Sequence, residues 1–357
     1  MNKRKILVIA QDCIGGAERV SVTFAKQLLA ENFDVSFGLV RLKDSTAESL
    51  RTIIPENIGC ETIVWDSQIG LMRNLHSIIK RIKPDIVFAS AMHLNQRLLV
   101  LKALFFNGIK AVVRNDNYLY TLPRHKRLSL KMTYQLADFI VSQTAEMEKE
   151  LIDIGLSPDK ILTVRNPIDK DDIDRKLEAK SPFLGKDEQF RYLAIGRISH
   201  QKGFDILIRA FRKVKTAIPQ SKLFILGDTN YEGGQYYRYL CSIVKECELE
   251  DEIVFCGFSD NPYRYLRDCD VYVLSSRYEG LPNTLLEAQY IGCTPVATKC
   301  IPIIERMICD GQDGFLAEPE NADSLARAMI RAHDENLTLT RSDNNRSSEI
   351  VELLSRL

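Results

Sequence analysis

Two glutamates stand eight positions apart in SSRYEGLPNTLLEAQ, residues 275–289, with a Gly-Leu-Pro turn between them. Glu279 precedes that turn. Glu287 falls about one turn inside a helix that Pro282 and Asn283 are placed to start, because a proline suits the first helical turn, where its missing N–H is not needed. Acids held at two depths around one helix end need not be an acid/base pair. They can accept hydrogen bonds from sugar hydroxyls, while the backbone of Gly280, Leu281, Pro282 and Asn283 opens onto an anion drawn to the positive end of the helix dipole.

A second set lies in YLAIGRISHQKGFDILIRAF. Arg197 and Lys202, five apart, sit between a strand-like run ending at Gly196 and a helix opening near Gly203. Two cations beside a helix N-terminus suit a diphosphate. Taken alone they are equally a solvated surface pair, and Asp205 is equally a first-turn acid that favours the dipole. Together with the glutamates they fit a ligand that carries sugar hydroxyls, a diphosphate and a ribose, which is a nucleotide sugar. The glycines of QDCIGGAERV, Gly15 and Gly16, let backbone approach a ligand or simply make a tight turn, and they lack the full Gly-x-Gly-x-x-Gly of a dinucleotide site.

These residues need elements to hold them. Through residue 165 short apolar runs (Lys5 to Ala10, Asp34 to Val40, Cys60 to Val64, Asp85 to Ala89, Lys110 to Arg114, Phe139 to Ser142) alternate with helix-period segments such as Glu18 to Ala30 and Leu71 to Ile82. That alternation predicts βαβ units and a parallel sheet. Asn166 to Gln189 is polar and charged and reads as a linker. The pattern then restarts, with strands near Tyr192 to Ile195, Lys222 to Leu226, Ile253 to Cys256, Val271 to Leu274 and Pro295 to Ala297. The expected α/β architecture is therefore two Rossmann-like doubly wound domains facing each other across a cleft, residues 1–168 and 169–340. A short helix within 341–357 is expected to pack back toward the first domain. Ligands of this class bind at the carboxyl ends of the strands.

GRISHQKG followed by SSRYEGLPNTLLEAQYIGCTPVAT resembles the retaining glycosyltransferases of family four, which have the GT-B fold, and the resemblance covers essentially the whole chain. It implies that Glu279 contacts hydroxyls of the donor sugar and Glu287 the ribose, that Arg197 and Lys202 bind the diphosphate and stabilise its charge as it leaves, and that Gly15 and Gly16 belong to the donor site. It also implies that Gly257 and Phe258 of VFCGF lie near the nucleobase, where ordinary strand-end packing is the alternative. His93, in SAMHLNQR, corresponds to a histidine close to the transferring sugar and is carried as catalytic with Glu279, Arg197 and Lys202. After ILGD the chain departs from the family's Gly-Pro with a longer turn, TNYEGGQ. The implied reaction transfers a hexose or N-acetylhexosamine, with retention, from a nucleoside-diphosphate sugar of the UDP class to a glycan or lipid-linked acceptor in polysaccharide or glycoconjugate synthesis. It needs no metal or other cofactor: Asp268 and Asp270, flanking a cysteine, precede a strand and are not on a suitable turn.

Composition narrows the partners. Lys plus Arg and Asp plus Glu are equal at 48 each, which argues against a general nucleic-acid binder. Nine scattered cysteines, an odd number with no Cys-x-x-Cys, read as reduced and mostly buried thiols. No run of apolar residues is long enough to span a bilayer, and MNKRKILVIA has no cleavage site behind it, so a cytoplasmic protein is expected. Between Leu94 and Ala137 eight Lys or Arg (97, 102, 110, 114, 124, 126, 127, 131) face a single acid, Asp116. That region suits an anionic membrane surface or a diphosphate-linked lipid acceptor, or is a solvated basic face. Arg114 and Asn115, at a strand's carboxyl end, are the acceptor-contact candidates. Competing classes are a transferase with a soluble small-molecule or glucan acceptor, a sugar-nucleotide epimerase, a Rossmann oxidoreductase and a silent scaffold. For the oxidoreductase, Asp34 opens a strand where the fingerprint wants an acid at a strand's end.

Overall fold

Apolar runs such as Ile6–Ala10 and Ile86–Ala89 are buried throughout, as strands covered by helices on both faces must be. The computed structural model describes residues 3–44, 49–183, 189–341 and 349–355. Its chain divides into two units, Met1–Ile168 with Asn345–Leu357, and Asp169–Asn344.

Unit 1 runs β1 (Lys5–Gln11), α1 (Gly16–Ala30), β2 (Asp34–Leu42), β3 (Gly59–Trp65), α2 (Gln68–Ile82), β4 (Ile86–Ser90), α3 (Met92–Phe105), β5 (Lys110–Arg114), α4 (Arg124–Tyr134), β6 (Phe139–Ser142), α5 (Ala145–Asp153) and β7 (Ile161–Thr163). Its strands pair in parallel in the order β3-β2-β1-β4-β5-β6-β7. The order reverses between β1 and β4, which makes their carboxyl ends the topological switch point.

Unit 2 runs α6 (Lys170–Leu177), β8 (Phe190–Ile195), α7 (Phe204–Ala217), β9 (Ser221–Leu226), α8 (Gln235–Glu246), β10 (Ile253–Gly257), α9 (Tyr263–Asp268), β11 (Val271–Leu274), α10 (Asn283–Ile291), β12 (Thr294–Thr298), α11 (Ile304–Met307), β13 (Phe315–Ala317) and α12 (Ala322–Glu335). The parallel order is β10-β9-β8-β11-β12-β13, with the switch between β8 and β11. Helix α7 shows why the sequence folds this way: Phe204, Leu207, Ile208, Phe211 and Val214 recur at three- and four-residue spacing and are all buried against the sheet. Pro219 follows within two residues of its end and stops it.

The last helix, α13 (Glu349–Ser355), belongs to unit 1. Ile350, Leu353 and Leu354 are buried in the core that α1 covers, and Arg4 Nη1 donates to the Leu354 carbonyl at 3.3 Å. Burial of each such side chain contributes roughly 1.5–3 kcal/mol.

Three expectations need correction. The polar stretch 166–189 is not a plain linker: it contains α6, whose Ile173 and Leu177 are buried, while residues 184–188 lie outside the described residues. Two edge strands, β7 and β13, were not anticipated; at three residues each they are too short to show a period. Of the nine cysteines, all free, only Cys247, Cys269 and Cys293 are buried, and Cys309 is exposed. Among the described residues no helix is long and apolar enough to cross a membrane.

Candidate active site

In unit 2 the two motif loops leave neighbouring central strands, one from β8 and one from β11, and are stitched together. Ser275 Oγ donates to the Lys202 carbonyl at 2.8 Å, Arg277 N to the Gln201 carbonyl at 2.8 Å, and Gln201 Nε2 to the Tyr278 carbonyl at 3.1 Å. Gly203 permits the approach: its φ is +62°, and a Cβ there would overlap the Ser275 carbonyl oxygen. The loops meet at Lys202 and Glu279. Lys202 Nζ lies 2.6 Å from Glu279 Oε1, which also accepts from Ser276 Oγ at 2.6 Å. Thr298 Oγ1 donates to the Ser276 carbonyl at 2.7 Å and anchors the turn from β12.

A clamp that sequence reasoning missed holds the Glu279 loop. Arg277 makes a bidentate pair with Asp205 at 2.8 and 2.7 Å and donates to the His200 carbonyl; Tyr236 OH donates to Asp205 at 2.7 Å. Burial alone would raise the Asp205 carboxyl, but the bonds from Arg277 and Tyr236 outweigh it and hold the group below the ordinary carboxylate range. Its bond to Asp205 likewise drives the Arg277 guanidinium above its usual value. Asp205 is thus more than a dipole-favouring acid. The available signal was the arginine two positions before Glu279.

Arg197 is more open. Its guanidinium donates to Gln201 Oε1 at 3.1 Å and to Tyr231 OH at 3.4 Å, with its carbon 5.6 Å from the Tyr231 ring centroid. Tyr231 belongs to the TNYEGGQ turn, so the segment that departs from the family pattern is what contacts this cation. His200 ends up as a backbone acceptor for Arg277 and a ring neighbour of Tyr236.

Helix α10 begins at Asn283, one position after the expected start, with Pro282 as its N-cap, so Gly280 and Leu281 form the turn before it. Glu287 lies in its second turn, where Tyr263 OH donates to it at 3.4 Å. The two acids therefore stand at different depths, as their spacing suggests. At the end of β10, Gly257 has φ +73° with open space beside it, and Phe258 is 51% exposed. Burial first, then Glu279, pushes the thiol of Cys300, after β12, up to about 12, which disfavours the thiolate.

Unit 1 has its own polar cluster at the switch point between β1 and β4. His93 sits in the first turn of α3, stacked on Trp65 with centroids 5.4 Å apart, and Arg97 lies 5.3 Å over the same indole. Burial, then Arg97, lowers the His93 pKa, which favours neutral imidazole. His93 Nε2 has no hydrogen-bond partner among the described residues. Just before it, Ala91 takes φ +96°, a strained conformation for a residue with a Cβ, and its N–H donates to Asp116 at 2.9 Å.

Three sequence expectations change here. Arg114 is 1% exposed; Asn166 accepts from it at 2.7 Å and Asp116 faces it at 2.7 Å, so it fixes strand ends and is not available to touch an acceptor. Asn115, 3% exposed, is likewise occupied, donating to the Asn117 carbonyl at 2.9 Å. Gly15 is the N-cap of α1, and a Cβ there would meet the Glu18 carboxylate, so the two glycines form the turn that starts that helix. The basic region also thins: Lys102 and Lys110 both pair with Asp138, at 3.0 and 3.3 Å. Among the described residues no group of three or more His, Cys, Asp or Glu is placed to hold a metal ion.

Comparison with known proteins bears on the family and the fold. The family model "Glycosyl transferases group 1" matches residues 176–348, and "Glycosyltransferase Family 4" matches residues 14–172. The UDP-Gal:α-D-GlcNAc-diphosphoundecaprenol α-1,3-galactosyltransferase of Escherichia coli is 26% identical over 352 residues, 94% of this chain and 89% of that protein. The Campylobacter jejuni N-acetylgalactosamine-N,N'-diacetylbacillosaminyl-diphospho-undecaprenol 4-α-N-acetylgalactosaminyltransferase is 27% identical over 68% of this chain and 62% of its own length. The chain spans about three fifths of the length of two of the curated relatives it matches. Anabaena HepE, solved in complex with UDP-glucose, superposes with a TM-score of 0.81 at 22% identity, over 99% of this chain and all of that one, and so shares the fold. Two parallel-sheet Rossmann-like units, two family models that between them take in nearly the whole sequence, and relatives of one kind lead to one conclusion: the chain belongs to the group 1, family 4 glycosyltransferases of the GT-B fold.

Proposed function

We propose that the protein is a retaining, metal-independent glycosyltransferase that moves a hexose or N-acetylhexosamine from a UDP-linked donor to a lipid-linked sugar acceptor in the synthesis of a cell-surface polysaccharide or glycoconjugate. The observation that carries it is the pairing of Lys202 with Glu279 where the β8 and β11 loops are stitched together. A sugar diphosphate is a ligand that both partners can use: its phosphates take the ammonium, and its hydroxyls donate to the carboxylate.

In this scheme unit 2 binds the donor. Arg197, Lys202 and the backbone turn ahead of α10 surround the diphosphate and stabilise the charge that develops on it as the anomeric bond breaks, a contribution often worth several kcal/mol. Because Arg197 and Lys202 supply the positive charge, no divalent cation is required. Glu279 holds the sugar, Glu287 the ribose, and the open edge at Gly257 and Phe258 takes the base. In unit 1 the neutral imidazole of His93 offers hydrogen bonding to a sugar hydroxyl at the switch point of that sheet. The UDP-glucose complex of HepE and the undecaprenyl-linked acceptors named for the E. coli and C. jejuni relatives support the donor and acceptor classes. Its place of action is the cytoplasm, at the cytoplasmic face of the membrane, with the exposed part of the basic region 97–131 toward the lipid.

The test is transfer from UDP-glucose, UDP-galactose and their N-acetyl counterparts to an undecaprenyl-diphosphate sugar in the presence of EDTA, with the product's anomeric configuration read by NMR. Product with the donor's configuration and undiminished turnover in EDTA is expected. Donor conversion without any acceptor product, inversion, or a strict metal requirement would contradict the proposal.

A further inference from the structure

The turn between β9 and α8, residues 228–234, is braced from within. The Asn230 N–H donates to Asp228 Oδ1 at 2.9 Å, the Tyr231 N–H to the Asp228 carbonyl at 3.3 Å and the Gly233 N–H to the Asn230 carbonyl at 2.9 Å. Arg238 Nη1, from α8, donates to the Gly233 carbonyl at 3.1 Å. Glu232, Gly233 and Gly234 then take φ of +52°, +72° and +69° in succession. The glycines adopt that left-handed conformation without steric cost, but Glu232 carries a Cβ and is strained there. Strain of this kind persists only where the surroundings hold it, and it collects at functional sites.

What the turn presents is Tyr231, half-buried beside Arg197. The Arg197 guanidinium carbon is 5.6 Å from the ring centroid, and Nη1 donates to the phenol oxygen at 3.4 Å. Nη2 donates to Gln201 Oε1 at 3.1 Å, and Gln201 Nε2 in turn donates at 3.1 Å to the carbonyl of Tyr278, the residue before Glu279. Loops from β8, β9 and β11 are thus tied together through one guanidinium. Arg197 is exposed, and a long exposed side chain loses much rotamer freedom when a ligand fixes it. Neighbours that already hold it remove part of that cost before a ligand arrives. The two bonds use two of the guanidinium's five N–H groups, which leaves donors for a phosphate oxygen.

We propose that Tyr231 is a positioning residue of the donor site, its ring fixing the Arg197 guanidinium where the diphosphate binds, so that the turn TNYEGGQ takes part in donor recognition. The inference rests on the donor site proposed above and adds a residue to it. The ring carries the effect and the hydroxyl adds little. An aromatic face attracts a cation within about 6 Å, whereas 3.4 Å is long for an N–H···O bond. An exposed contact of this kind is worth about two- to fivefold in affinity.

The experiment is calorimetric titration of UDP and of inorganic pyrophosphate into the full chain as wild type, Tyr231→Phe, Tyr231→Leu, Arg197→Ala, and Arg197→Ala with Tyr231→Leu. Thermal unfolding checks that each variant is folded. Tyr231→Phe should bind both ligands nearly as well as wild type, and Tyr231→Leu about two- to fivefold more weakly. With Arg197→Ala already in place the leucine should cost nothing more, because the tyrosine acts through that arginine. A tyrosine that merely supports the turn would weaken binding equally in both backgrounds, and that additivity would overturn the inference. So would full UDP affinity in Tyr231→Leu, or a loss in Tyr231→Phe as large as in Tyr231→Leu. If Arg197→Ala weakens UDP binding and Tyr231→Leu does not, the donor site stands and only the role of Tyr231 falls. A wild type that binds neither UDP nor pyrophosphate would remove the donor site and this role with it.

Discussion

Lys202 Nζ lies 2.6 Å from Glu279 Oε1, with the two side chains 16% and 8% exposed. Each is the other's counter-ion, and Ser276 completes the carboxylate's coordination. The pair therefore stands assembled where the β8 and β11 loops meet, and the proposed donor site gives its cation to phosphate and its acid to sugar hydroxyls.

Removing one partner strands the other out of water. Lys202→Ala is expected to abolish transfer and also to lower stability by about 3 kcal/mol, because breaking a largely buried pair leaves an uncompensated charge. Lys202→Met combined with Glu279→Gln should lose less stability than the two single changes added together. Urea unfolding of the cycle checks this, and simple additivity would mean that the pair is not coupled.

The Arg277–Asp205 clamp predicts a different phenotype. Arg277→Lys keeps the charge but loses the fork that meets Asp205 at 2.8 and 2.7 Å, so the Glu279 loop should loosen and donor affinity fall by roughly tenfold, about 1.4 kcal/mol. Asp205 has a depressed folded-state pKa, so its contribution to stability is present above the unfolded carboxylate pKa near ~4 and is lost as pH falls through the lower folded value. Asp205→Asn should flatten the acid limb of a stability–pH curve; an unchanged limb would contradict the clamp.

How much of this was legible in the sequence depends on the residue. Glu279, Glu287, Arg197 and Lys202 stood out because site chemistry follows strands in an α/β chain, and strands with continuous apolar runs are easily seen. Arg277, Tyr236 and Tyr231 were hidden because what matters is their partner across a loop, which spacing does not encode. Arg114 misled in the opposite way. A cation at a strand's carboxyl end looks ligand-facing, and only its 1% exposure and its pairing with Asn166 and Asp116 show it holding β5 to its surroundings. The helix inside 166–189 escaped because its composition is mostly charged, with two buried side chains, Ile173 and Leu177, to give it away.

His93 gives a spectroscopic prediction. Trp65 is the one tryptophan of the chain and stacks on His93, so its fluorescence should report the imidazole's charge, falling as the ring protonates. Because the folded-state pKa is lowered, the unfolded chain binds the proton first, and stability should drop as pH falls from ~6.5 toward the folded value while staying level above ~6.5. A fluorescence midpoint below ~6.5 that vanishes in His93→Gln is expected. A midpoint above it would mean that burial does not govern this site.

The buried strand-end network predicts sensitivity away from any ligand. Asp116 is raised by burial and opposed by Arg114 and the Ala91 N–H, so Arg114→Met should destabilise unit 1 by roughly 3–5 kcal/mol by leaving that carboxyl alone. UDP affinity, read in unit 2, should change little in the fraction that remains folded. Thermal unfolding followed beside UDP titration separates the two effects.

The most direct test of the donor site is calorimetric titration of UDP, ADP, GDP and NAD into wild type and Arg197→Ala in EDTA. Arg197 is exposed, so the substitution spares the core. Binding of UDP to wild type, with a loss of about tenfold or more in the variant, roughly 1.4 kcal/mol, is the predicted result. Equal UDP affinity in both proteins, or binding of NAD alone, would contradict a diphosphate held between the β8 and β11 loops.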